Sequence, residues 1–193
     1  MTAPQVLIPL APGFEEIEAV TIKDVLTRAG ATCVLAGLES GPIAGAHGVR
    51  ILPDTGIGDV NADDYAMIVL PGGLPGAENL RDDDRVIELL KAMAAKGRFV
   101  AAICAAPIAL GRSGVVAGKS FTCYPGFESQ VEGGNHVARR VVVDGKLITS
   151  RGPGTALEFA LTLTHFLMGS DAAAQLEEGM LVSRPEEPFI RTS

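Results

Sequence analysis

Residues 99–107 read Phe99-Val100-Ala101-Ala102-Ile103-Cys104-Ala105-Ala106-Pro107. The apolar run suits a buried strand, and it stops at a cysteine followed by small residues and a proline fit to open a helix. A chain that turns sharply from strand to helix at one residue lifts that side chain above the sheet, and only small neighbours tolerate the bend. Ala105 and Ala106 supply that smallness. The helix start beyond them carries partial positive charge and free amides, so the pattern predicts a Cys104 thiolate, titrating near or below ~7. The plain alternative is a buried strand-end cysteine, a residue type common in protein interiors.

Outward from this segment, residues 6–10, 32–37 and 67–70 read as further buried strands. Between them, residues 15–29 carry Ile17, Val20, Val25, Leu26 and Ala29 largely on one helical face and end at Gly30. Residues 83–96 repeat the plan with Val86, Leu89, Leu90 and Met93 before Gly97. This βαβ order implies an α/β fold: a mostly parallel sheet, helices on both faces, and a ligand site at the carboxyl ends of the strands. Residues 141–143 and 147–150, joined by Asp144-Gly145, read as a β-hairpin, and 156–168 as a last long amphipathic helix closed by Gly169. Residues 175–193 read as a short helix and a charged, proline-containing tail.

A chain of 193 residues with 47% hydrophobic residues is expected to form one domain over 1–193. A formal charge of -7 without a basic run argues against nucleic acid as the main partner. No apolar run approaches the ~20 residues that span a bilayer, and Met1-Thr2-Ala3-Pro4-Gln5 lacks the features of a signal peptide, so no membrane role and a cytoplasmic location are expected. Cys33, Cys104 and Cys123 form no C-x-x-C pair, which fits free thiols and neither a disulfide framework nor a metal site. The stretch 114–120 is one residue short of a Walker A loop and follows a helical pattern, where a phosphate loop must follow a strand.

Three more turns should lie on the same sheet edge as Cys104: residues 10–18, Leu70-Pro71-Gly72-Gly73, and Ser150-Arg151-Gly152-Pro153-Gly154-Thr155. Gly72 and Gly73 let backbone approach a ligand closely, so the N–H groups of Gly73 and Ala105 could form an oxyanion hole, or the glycines could simply make a tight turn. Glu15, Glu16 and Glu18 occupy a first helical turn, where carboxylates complement the dipole. One that reached Cys104 in a dry cleft would be held protonated and could shuttle protons. His136 and His165 remain as possible partners of Cys104, although His165 sits among Leu163, Phe166 and Leu167 as a packed helical residue would.

These motifs, in this order and over nearly the whole chain, resemble the ThiJ/PfpI superfamily, most closely its protein-deglycase branch, that of the Parkinson-disease-associated protein and bacterial YajL-type relatives. The matching pieces are Pro12-Gly13-Phe14-Glu15-Glu16-Ile17-Glu18, Val69-Leu70-Pro71-Gly72-Gly73, 101–107 and 150–155. The resemblance implies a flavodoxin-like three-layer sandwich, class I glutamine-amidotransferase-like, that dimerises and uses no cofactor. It also implies that Cys104 is the reactive, oxidisable cysteine, Glu18 its carboxylic-acid partner, and Gly73 with Ala105 the oxyanion amides. Arg28 matches a family arginine near the dimer interface and pocket, and Gly72 and Pro153 fall in the pocket motifs. Two positions depart from the pattern. Tyr124 precedes Pro125 where many members carry a histidine, and a phenol is a poor base at neutral pH. His47 stands at the position that matches a second pocket arginine of the family and reads as a loop residue.

The activity so implied is cofactor-independent detoxification of small reactive 2-oxoaldehydes, or deglycation of their adducts on protein side chains. Cys104 would add to the aldehyde, Glu18 would move the proton, and the amides would hold the oxyanion. The other class is a redox-sensing stress protein or chaperone, with Cys104 oxidised to a sulfinate. Peptidase chemistry is disfavoured, because peptidase members resemble Cys-His-Gly at the elbow and residue 105 is alanine.

Overall fold

Strands that are apolar on both faces can be buried only between two layers of helices, and this dictates the layering. The computed structural model describes residues 3–182 and 189–191. In chain order the elements are β1 (Gln5–Leu10), α1 (Glu16–Arg28), β2 (Thr32–Gly37), β3 (Ile43–Ala44), β4 (Arg50–Ile51), β5 (Thr55–Gly56), β6 (Met67–Leu70), α2 (Gly76–Asp82) and α3 (Asp84–Ala95). There follow β7 (Phe99–Ile103), α4 (Pro107–Ser113), β8 (Ser120–Phe121), β9 (Asn135–His136), β10 (Val141–Asp144), β11 (Leu147–Ser150), α5 (Ala156–Met168), α6 (Ser170–Gly179) and β12 (Phe189–Arg191).

The main sheet runs β12-β10-β11-β7-β6-β1-β2-β5, and all its pairs are parallel except the β10–β11 hairpin. Val6, Ile8, Leu10, Val69, Ala101 and Ile103 pack on one side beneath Ala19, Ile22 and Leu26 of α1 and Phe159 and Leu163 of α5. Leu7, Ile68, Leu70, Val100 and Ala102 pack on the other side with apolar residues of α2, α3 and α4. This is the expected three-layer α/β sandwich. It puts the turns after β11, β7, β6 and β1, four neighbouring strands, on one edge of the sheet.

Three expectations are corrected. The buried stripe of α1 is Glu18, Ala19, Ile22, Val25 and Leu26, while Ile17 and Val20 are 57% and 49% exposed. The stripe passes through a glutamate, which apolar counting assigns to solvent. Second, α6 starts at Ser170, directly after Gly169, and not near Gln175. Third, Phe189–Arg191 is a strand that pairs parallel with β10, where the sequence suggested only tail. The loop after α4, with Gly114 at φ 76, leads from a helix into β8, so the phosphate-loop likeness there is a coincidence. Among the described residues no helix is long and apolar enough to cross a membrane.

Candidate active site

The bend predicted after β7 is present at a single residue. Cys104 has φ 63, the left-handed region that an L side chain adopts only under constraint from its surroundings. Two backbone bonds supply the constraint: Cys104 N donates to Ser150 O at 3.0 Å, and Tyr124 N donates to Cys104 O at 2.8 Å. The cysteine is therefore fixed between the β11 and Tyr124 segments. It is 8% exposed.

Glu18 arrives from the buried stripe of α1. Its Oε2 accepts from Gly72 N at 2.7 Å, and its carboxyl interacts with the Cys104 thiol. Gly72 has to be glycine, since a Cβ there would meet Cys104 Cβ at 2.6 Å and Glu18 Oε2 at 2.8 Å. Gly73 adopts φ 91 with the chain of residues 13–15 pressed against it. Its N–H and that of Ala105 both act on the sulfur and favour its anion. Cys104, Glu18, Gly72, Gly73 and Ala105 thus converge, as their strand-end positions predicted.

The electrostatics differ from expectation. Burial, and then the neighbouring charge of Glu18, push the Cys104 thiol up to about 12, and the two amides offset only part of this. The expected low pKa weighed the helix terminus and amides without the desolvation. Glu18 is fully buried, and burial raises its carboxyl to about 7 against the pull of Gly72 N–H and Cys104. The two groups titrate as a pair. The proton that leaves near neutrality comes from the pair, and the carboxylate then stands beside the thiol as a base.

Tyr124, 46% exposed, and Pro153 line a cavity of about 330 Å³ together with Arg140, Arg151 and Gly152. Cys104 does not line it; the Tyr124 N–H to Cys104 O bond joins the cavity wall to the elbow. The turn after β11 is held by Thr155, whose hydroxyl accepts from Gly152 N at 3.1 Å and contacts Ser150 Oγ at 2.7 Å. Arg140, unremarked in the sequence, ion-pairs with Glu158 and donates to Gly154 O at 3.1 Å. No local signal marks it, because its partners are 14 and 18 residues away.

Arg28 is not brought to this pocket within the chain. It ends α1, ten residues or ~15 Å of helix beyond Glu18, exposed and paired with Asp24 at 2.7 Å. His136 stands against Phe121, with ring centroids 5.6 Å apart, and His165 against Phe166. Glu16 does more than cap a helix: its Oε1 accepts from His47 N at 2.7 Å and Val49 N at 3.2 Å, and its Oε2 lies 2.9 Å from His47 Nδ1. It clamps the 45–49 loop over the start of α1.

A model of the DJ-1/PfpI family matches residues 4–165. The chain belongs to the DJ-1/PfpI family. It is 44% identical to protein dj-1beta of Drosophila melanogaster over 180 residues, covering 92% of this chain and 96% of that protein. The crystal structure of Drosophila melanogaster DJ-1beta superposes with a TM-score of 0.91 at 42% identity, covering 94% of this chain and all of the other. A glutathione-independent glyoxalase of Caenorhabditis elegans, DJR-1.2, is 37% identical over 92% of this chain and 96% of its own length. The DJ-1/PfpI fold and family membership therefore agree with the resemblance read from the motifs.

Proposed function

We propose that this DJ-1/PfpI protein is a glutathione-independent glyoxalase that converts small 2-oxoaldehydes, such as methylglyoxal, to 2-hydroxy acids through Cys104. The observation that carries the reading is the Cys104–Glu18 pair: a thiol on a strained elbow beside a buried carboxyl raised to about 7. The Glu18 carboxylate takes the thiol proton as sulfur bonds to the aldehyde carbon, giving a hemithioacetal. The Gly73 and Ala105 amides favour negative charge at this spot, first on sulfur and then on the new alkoxide. Glu18 then removes the proton on C1 and returns one to C2, which leaves a 2-hydroxy thioester, and water releases the acid and the free thiol. No external oxidant or reductant is consumed, because C1 is oxidised as C2 is reduced. The glyoxalase name of the Caenorhabditis relative supports the same substrate class. The same chemistry extended to hemithioacetals and aminocarbinols on proteins is deglycation.

A homodimer belongs to the proposal, supported by Ile17 and Val20 standing exposed on α1. A redox role of Cys104 is the second reading, and the amides acting on its sulfur favour it, since they would also stabilise a sulfinate. The deciding experiment measures methylglyoxal turnover without glutathione for the wild type and Cys104→Ser. Turnover abolished by the substitution supports the enzyme. No turnover in either, with Cys104 readily oxidised by peroxide, would establish the sensor.

A further inference from the structure

Cys123, Glu128 and His136 come to one place from three pieces of chain. The β8–β9 ladder sets Phe121 opposite His136, and Cys123 lies two residues beyond Phe121. The turn over residues 124–127 then delivers Glu128, whose Oε2 accepts from Gly126 N at 2.8 Å. One donor atom from each residue, thiol sulfur, carboxylate oxygen and imidazole nitrogen, lies within 4.8 Å of the other two.

Thiolate, imidazole and carboxylate together suit a borderline divalent ion, zinc above all. Tetrahedral zinc, with bonds of ~2.0–2.3 Å, sets its donors ~3.5 Å apart, so the cluster must contract by only about 1 Å. Cys123 is 1% exposed, whereas Glu128 is half-buried and His136 exposed. The fixed donor is the sulfur, and the two that must move have room to do so. Burial pushes the Cys123 thiol up to about 12, with Arg151 opposing, so the sulfur becomes an anionic donor only as a cation displaces its proton, and the thiolate and the Glu128 carboxylate together then outweigh the single charge of Arg151. The other such cluster, Glu15, Glu16 and His47, is a poorer host, because the Glu16 oxygens already hold two amides and the His47 ring.

We propose that Cys123, Glu128 and His136 bind a zinc-type divalent cation, with water completing the tetrahedron. As the sulfur–metal bond forms, the thiol proton passes to solvent, and no atom changes oxidation state. The sequence argued against a metal because its three cysteines form no C-x-x-C pair, and the spacing 123, 128, 136 matches no familiar metal motif either. A bound ion would tie together both ends of the turn that carries Tyr124, and so stiffen a wall of the cavity beside the elbow.

Cobalt(II) is the probe, since a cobalt–thiolate bond gives a near-ultraviolet charge-transfer band. Titration of the reduced protein should give that band in the wild type and in Cys104→Ala, and added zinc should abolish it. Cys123→Ser should lose the band, and His136→Ala, at an exposed position that leaves the core intact, should weaken binding about tenfold or more. A wild type without the band overturns the proposal. So does a band that disappears in Cys104→Ala yet persists in Cys123→Ser, or one unaffected by His136→Ala.

Discussion

Glu18 faces two opposed demands, sealed from water among apolar neighbours yet required to give and take protons. Its carboxyl near 7 meets both, because at neutral pH the acid and base forms coexist. The limb of kcat/KM for methylglyoxal on the acid side should therefore rise through about pH 7. In Glu18→Gln the rate should fall by ~10² to 10⁴ with that limb gone, since the amide can still accept from Gly72 N–H but cannot relay a proton. Full activity in this variant would remove Glu18 from the chemistry. Tyr124 bears on the same question from the cavity side. If a second base limits the rate, Tyr124→His should raise kcat roughly tenfold or more, towards the ~10² to 10⁴ ascribed to a positioned acid–base group; an unchanged kcat in steady-state assays would make the tyrosine only a wall.

At the scale of elements, α1 has two faces with separate tasks. Its inner stripe carries Ala19, Ile22 and Leu26 into the core and delivers Glu18 to the elbow, so core packing sets the position of the acid. Its outer face leaves Ile17 and Val20 in solvent, apolar area that a second chain could cover. Ile17→Asp with Val20→Asp should leave the circular dichroism spectrum unchanged and shift the species in light scattering from dimer to monomer. A wild type already monomeric at tens of micromolar would refute the dimer.

For the whole molecule, a buried acid makes stability depend on pH. The raised carboxyl of Glu18 stays protonated in the folded chain up to about 7, while in the unfolded chain it ionises from its ordinary 4.5. Folding is thus favoured relatively below 4.5 and loses stability as pH rises to about 7, by roughly 3 kcal/mol in total. Denaturant melts of Glu18→Gln and the wild type should diverge in the variant's favour by that order between pH 4 and pH 8, and curves that stay parallel would show Glu18 to be ionised without cost. The amino-acid sequence alone determined the sandwich and the elbow, because continuous apolar strand runs, helix stops at glycine and small residues around Cys104 are local properties. It also placed Cys104, the 10–18 segment and the Gly72-Gly73 turn on one edge, since strand ends in a parallel sheet share an edge, while the choice of Glu18 among three carboxylates came from the family resemblance. Only the tertiary structure decided that the thiol is raised and not lowered, because desolvation depends on everything packed around the sulfur. Tertiary contact alone also added β12 to the sheet and gathered Cys123, Glu128 and His136, whose meeting depends on how the β8–β9 ladder and the turn between them close in space.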